Sequence, residues 1–200
     1  TGIFKDDRYF DIFVEYAKDG PDDILVRITA ANRGPDAAEL HLLPTLWFRN
    51  DWAPWIADVS RAAEKPNLQQ IGAASGTSAV AGTHPALGEY TLCCEGEVPL
   101  LFTENETNHE LLFPGQKNES PYVKDGINDC VVQGHPGAVN PGKQGTKVAA
   151  HYRLTVGPGQ SATVRLRLTA QPAAGKSGKT KTTPSRFGTE FDKTLAARLQ

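Results

Sequence analysis

Methionine is missing from this chain altogether, and the chain opens on Thr1. It stops at Gln200, inside a helical pattern. Either a removed leader or a cut from a longer protein would give such a start, and the stop inside a helical pattern makes the second the expectation. Cysteine is scarce, at Cys93, Cys94 and Cys130 only. An odd number with two adjacent makes a poor disulfide framework, because a bridge between chain neighbours is strained. Such usage fits a reducing compartment, so a cytoplasmic setting is expected. An excess of one charge is also lacking. Charged residues make up 22% and the net charge is −2, which leaves no basic field to select nucleic acid or an acidic membrane. No apolar run reaches the length that spans a bilayer, and no signal peptide is visible.

The usual cofactor signatures are absent as well. Glycine is plentiful at 19 residues, yet neither GxGxxG nor GxxxxGK[ST] occurs, so no nucleotide site is supported and no cofactor is expected. His41, His84, His109, His135 and His151 are scattered without short metal spacing. His151 falls on the polar face of a strand and reads as surface or interface. Cys93 and Cys94, as strand neighbours, point to opposite faces and do not make a metal site. Ser75-Gly76 and Ser161 lack the context of a nucleophile elbow.

What is present is period-two alternation, clearest from Lys147 to Ala170. Val148, Ala150, Tyr152, Leu154 and Val156 alternate with polar or small residues. After Gly157-Pro158-Gly159-Gln160 the pattern resumes in Ala162, Val164, Leu166, Leu168 and Ala170. Two half-buried antiparallel strands joined by a tight connection are predicted. The Arg153, Arg165 and Arg167 side would face water or a docking partner, water being the plainer reading. A sheet protein with one covered face follows.

Other segments repeat the theme. Arg8–Ala17 and Ile24–Ala30 form a predicted hairpin around Lys18-Asp19-Gly20-Pro21-Asp22. Residues 40–49 are apolar on both faces, and Pro44 marks an edge or bulge there. Residues 57–88 read as short strands and loops. Strands follow at Tyr90–Glu95 and Val98–Thr103, joined by Glu95-Gly96-Glu97, and at least one of Cys93 and Cys94 is expected to be buried as a small apolar residue. Tyr90, Phe102 and Phe113 read as core. From Glu104 to Lys147 the pattern lapses into a long loop region, with a short helix starting near Asn105 or Ser120. Loops this long usually carry function or pack against something. Residues 171–186 are a Gly/Lys/Thr-rich flexible linker. A helix then begins with Thr189 and Asp192 as a capping pair and Phe191, Leu195 and Leu199 at helical spacing, with no partner visible in the sequence.

Chemistry-bearing residues gather in two places. Glu104, Glu106 and Glu110 flank Asn105 and Asn108, and Asp125 and Asp129 follow. Two carboxylates across a sugar bond can hydrolyse it, while the plainer reading is solvated loop acids. Trp47, Trp52 and Trp55 are the other cluster. Indole faces stack on sugars, and a buried indole N–H needs an acceptor. Trp47, inside a strand, reads as core or inter-domain packing. Trp52 and Trp55 stay open between packing and sugar contact.

Four segments carry a resemblance: residues 1–11 (TGIFKDDRYFD), 41–50 (HLLPTLWFRN), 102–108 (FTENETN) and 118–129 (NESPYVKDGIND). They resemble bacterial glucosidase-like proteins similar to the mannosyl-oligosaccharide glucosidases of glycoside hydrolase family 63. The resemblance runs in order along nearly the whole chain. It departs at Asn50-Asp51-Trp52-Ala53-Pro54-Trp55, where the family has a shorter Trp-x-Trp. It implies an all-β fold, an antiparallel β-sandwich of the super-β-sandwich type over residues 1–170. Residues 187–200 would start a linker helix toward an (α/α)6 catalytic domain of the same polypeptide. The family's acid and base lie in that toroid, so no catalytic residue carries over. The domain would scaffold the toroid, with an oligosaccharide as a further partner. Expected substrate or inter-domain contacts are Trp52, Trp55, Glu104, Asn105, Asn108, Tyr122, Lys124 and Asp125. The rivals are a stand-alone carbohydrate-binding module, with Trp52, Trp55 and Tyr122 as its platform, and a protein-interaction sandwich.

Overall fold

The computed structural model describes residues 2, 4–52, 64–170 and 186–198. Its strands are β1 (Phe10–Gly20), β2 (Asp23–Asn32), β3 (Ala38–Leu42), β4 (Thr45–Trp47), β5 (Asn67–Ile71), β6 (Thr77–His84), β7 (Gly88–Glu95), β8 (Leu100–Thr103), β9 (Gln144–Gly145), β10 (Lys147–Ala150), β11 (Tyr152–Val156) and β12 (Ser161–Thr169). Three α-helices accompany them among the described residues: α1 (His109–Leu112), α2 (Gly126–Val132) and α3 (Thr189–Arg198), with 3-10 turns at Lys5–Asp7 and Pro136–Ala138. A seven-stranded sheet in the order β1-β2-β12-β7-β6-β5-β9 forms one layer. The three-stranded β4-β10-β8 and two-stranded β11-β3 sheets form the other. The fold is all-β, antiparallel and sandwich-like, with a C-terminal helix.

The main core lies between the layers. The large sheet contributes Ile28, Leu68, Val80, Leu92, Cys94, Val164 and Leu166, and the smaller sheets Leu100, Phe102, Val148, Ala150 and Tyr152. These are the residues that alternation assigns to one face of each strand. The second layer stops short of β1, whose Ile12, Val14 and Tyr16 share the face of the core yet stay 43%, 46% and 70% exposed. The cysteines of β7 behave as small apolar residues. Cys94 enters the main core, where burial and then the neighbouring Cys93 push its thiol up to about 12. All of Cys93, Cys94 and Cys130 are free thiols.

Strand identity follows the alternation, but strand pairing does not always follow chain order. The β1–β2 hairpin forms with Phe10 opposite Asn32 and Lys18 opposite Ile24. The predicted hairpin of Lys147–Ala170 does not form. Its first half is broken at His151 into β10 and β11, which pair with β4 and β8 and with β3. Its second half, β12, pairs with β2 and β7. The Gly157–Gln160 connection, with Gly159 at φ +67, crosses between layers. Glu95–Glu97 likewise leads from β7 in one layer to β8 in the other. Pro44 sits at the matching break between β3 and β4, and its carbonyl accepts Ala150 N–H at 3.0 Å. Phe113 ends the single turn of α1 at 46% exposure, away from the core that holds Phe102.

The C-terminal helix has a partner within the chain. Phe191 and Leu195 are 1% and 0% exposed and pack with Ala17 and Leu25 on the outer face of the large sheet. The arginines of β12 line this contact rather than open water. Arg165 donates to the Phe187 carbonyl at 2.7 Å, lies 3.4 Å from Asp192 and stands over the Phe191 ring. Arg167 pairs with Asp23 and Asp19. Arg186 donates to the Cys93 sulfur. The expected capping pair is altered: the helix starts at Thr189 itself, and Asp192 meets Arg165. Leu199 and residues 171–185 lie outside the described residues. Among the described residues, no helix is long and apolar enough to cross a membrane.

Two outcomes test this packing. Leu195→Ala is expected to lower the unfolding free energy in urea by about 2–5 kcal/mol, the range for emptying a buried leucine site. The second concerns Arg27, which grips both oxygens of Glu15 at 2.6 and 2.9 Å. That hydrogen bond holds the Glu15 carboxyl below its ordinary value of 4.5. Its folded pKa is therefore the lower one, so the stabilisation is present above 4.5 and lost as pH falls through the folded value. Both side chains are more than a quarter exposed, so Glu15→Gln is expected to flatten the acid limb of stability by only about 0.5 kcal/mol.

Candidate functional site

The end of β8 organises the loop region. Leu100–Thr103 is buried throughout, and the chain leaves the sheet at Glu104. Gly145 allows β9 to pass close by. A Cβ there would meet the Thr103 carbonyl oxygen at 2.4 Å, so a larger residue would push the strand away. That approach sets Thr146 beside the loop. Thr146 N–H donates to the Thr103 carbonyl at 3.1 Å, and its hydroxyl donates to Glu104 Oε2 at 2.8 Å. The same hydroxyl accepts Asn105 N–H at 2.7 Å. The Asn105 amide reaches the Phe48 carbonyl at 2.8 Å. Asn50 returns a bond to the Asn105 carbonyl at 3.2 Å.

One ammonium ties the acids together. Lys65 Nζ is 3.2 Å from Glu104 Oε2 and 2.7 Å from Glu106 Oε1. Trp52 Nε1 donates to that Glu106 oxygen at 2.8 Å, and Lys65 stands 5.9 Å from the centre of the indole. The glutamates are only 17% and 13% exposed. Burial pulls the Lys65 pKa down, but the hydrogen bond and charge of Glu106, with Glu104, outweigh it and leave it above its ordinary value. Both acids therefore have a resident cation and hydroxyl or indole donors, an arrangement suited to fixing a loop.

The second loop locks onto the first. Glu104 N–H donates to the Tyr122 carbonyl at 2.7 Å, and Lys124 N–H to the Glu106 carbonyl at 3.0 Å. Lys124 Nζ reaches Thr107 at 3.1 Å. Asn108 caps α1 through Leu111 N–H and gives its amide to Asp125 Oδ2 at 2.9 Å. Asp125 Oδ1 is buried with no hydrogen-bond partner among the described residues. Lys147 donates to the Lys124 carbonyl at 2.9 Å. Burial, then the charge of Lys124, lowers the Lys147 pKa.

The structure thus joins Trp52, Glu104, Asn105, Asn108, Tyr122, Lys124 and Asp125 in one network, Tyr122 through its backbone. Trp55 lies outside the described residues. Sequence reasoning missed Lys65, Thr146 and Lys147, which have no motif around them. It read Trp47 as core or inter-domain packing; that indole is 53% exposed, opposite Lys147 in the β4–β10 pair, so it is not core. Trp52, by contrast, is held by its N–H. Among the described residues, no group of three or more His, Cys, Asp or Glu is placed to hold a metal.

No family model matches the chain. It is 36% identical over 192 residues to the uncharacterized protein YMR196W of Saccharomyces cerevisiae. That match covers 84% of this chain and 17% of the relative, so the chain spans less than a fifth of the curated relative's length. The relative's name assigns it no activity.

Removing Lys65 tests the network. Lys65→Met leaves two mostly buried carboxylates without their cation. It is expected to lower stability by about 1–3 kcal/mol in urea unfolding, a range discounted because Lys65 is itself 41% exposed.

Proposed function

We propose that this chain is a non-catalytic β-sandwich domain of a glucosidase-like glycoside hydrolase acting on an oligosaccharide. It supports an (α/α)6 catalytic domain of the same polypeptide and borders its sugar cleft. The observation that carries this reading is the engagement of Glu104 and Glu106 by Lys65, Thr146 and Trp52. A general acid needs a free carboxyl at the reacting oxygen, and these two hold a loop. The four resembling segments support the family, and two of them, residues 102–108 and 118–129, build this network. Three free thiols support a cytoplasmic setting.

A carbohydrate-contact role gains one observation. Trp47 offers an exposed indole beside Lys147, the kind of face on which a sugar ring stacks. It replaces Trp52 as the platform.

The test compares the full-length protein with this chain alone on gluco- and manno-oligosaccharides. Hydrolysis is expected only from the full-length protein. Trp47→Ala is expected to raise KM there by roughly tenfold, the scale of about 1.4 kcal/mol of lost contact. Hydrolysis by this chain alone would overturn the proposal and return Glu104, Glu106 and Asp125 to candidacy as catalytic groups.

A further inference from the structure

The outer face of the β3–β11 pair brings together residues far apart in sequence. Glu39 and His41 are alternate residues of β3, so their side chains share that face. Arg153 lies opposite His41 in the ladder. His151 sits at the break before β11, fixed by its N–H to the Pro99 carbonyl at 2.9 Å. The two rings meet with centroids 4.9 Å apart and planes tilted by 49°. His41 Nδ1 and His151 Nε2 are 3.0 Å apart. On the far side of its ring, His41 Nε2 lies 2.8 Å from Glu39 Oε1.

The carboxylate sets the tautomer. Ionised Glu39 only accepts, so His41 carries its proton on Nε2 and turns the Nδ1 lone pair toward His151. Without an ion, His151 donates its Nε2 proton to that lone pair. Two nitrogens bound to one tetrahedral ion at about 2.0–2.1 Å stand roughly 3.3 Å apart. The observed spacing is short of that by a few tenths of an ångström, within reach of small side-chain rotations. A carboxylate on the outer nitrogen of a ligating histidine is the usual way such a ring is oriented and made more basic.

We propose that His41 Nδ1 and His151 Nε2 form a two-histidine site for a late first-row divalent transition metal ion, zinc foremost, with Glu39 as the positioning carboxylate. Imidazole pairs suit zinc, nickel and copper and not calcium or magnesium. When the ion enters, the His151 proton moves from Nε2 to Nδ1, and both inner lone pairs become ligands. The remaining coordination positions face solvent, since His41 is 33% and Glu39 51% exposed. Arg153 works against the ion. Its NH2 lies 3.1 Å from the same Glu39 oxygen, adding a cation near the site and competing for the carboxylate.

The experiment is calorimetric titration of the tag-free chain with zinc chloride, repeated with cobalt(II) to read nitrogen ligation from its visible spectrum. One saturable equivalent is expected. His41→Ala and His151→Ala each abolish it, and Glu39→Gln weakens it by about 10–100-fold. His135→Ala leaves it unchanged. Arg153→Gln tightens it a few-fold, a gain that misfolding cannot produce. Circular dichroism checks that each variant keeps its sheet content. Failure of the parent chain to bind at submillimolar zinc, binding that survives either histidine substitution, or weaker binding in Arg153→Gln would each overturn the site.

Discussion

Strand β10 is buried on both sides, and much of the molecule is arranged around that constraint. Val148 and Ala150 point into the main core, at 1% exposure each. Ala149, at 0%, points the other way, into a second cluster with Leu101, Ile127 and Val139. A strand with no wet face needs cover on both sides. The large sheet supplies one cover, and α2 with its flanking turn supplies the other. The loop region is therefore structural roof before it is anything else. The two ends of β10 carry Thr146, which anchors the glutamate network, and His151, which meets His41. Both candidate sites are fixed by the same short strand, three of whose four residues are buried.

Period-two alternation made the faces of the strands legible. Ile28, Leu92, Val148, Val164 and Leu166 could be assigned to the core by counting alone, whereas Val80 lay in a stretch whose pattern was too irregular to assign. The partners of the strands were not legible, because alternation reports which side faces inward and says nothing about the neighbour. Hence β11 and β12 resemble a hairpin in sequence and lie in different layers. Arg165 and Arg167 show the same limit. Their face could be read, but that it is covered by the chain's own C-terminal helix depends on a contact 22 to 27 residues away. The breaks at Pro44 and His151 differ in legibility for a physical reason. Proline announces its missing donor, whereas His151 ends a strand only because its N–H turns to Pro99.

The candidate sites divide along similar lines. Clustering in sequence found Glu104, Glu106, Asn105 and Asn108, since a loop keeps its own residues together. Lys65 and Thr146 come from 39 to 42 positions away and carry no local signal. The His41–His151 contact spans 110 positions. Exposure was the least legible quantity of all. Trp47 sits in a regular strand and is open, while Trp52 sits in a loop and is held by Glu106.

The docking of α3 has a consequence for where this unit can be divided. Alternation ends at Ala170, which invites a boundary there. A chain cut at that point would uncover Leu25 and Ala17, now 0% and 4% exposed. It would also strip Arg165 of the Phe187 carbonyl and Cys93 of Arg186. The outer face of the large sheet would then present a fresh apolar strip next to an unmasked thiol, a surface prone to self-association. A boundary at Ala170 would therefore cut through a buried contact between the sheet and the helix that covers it.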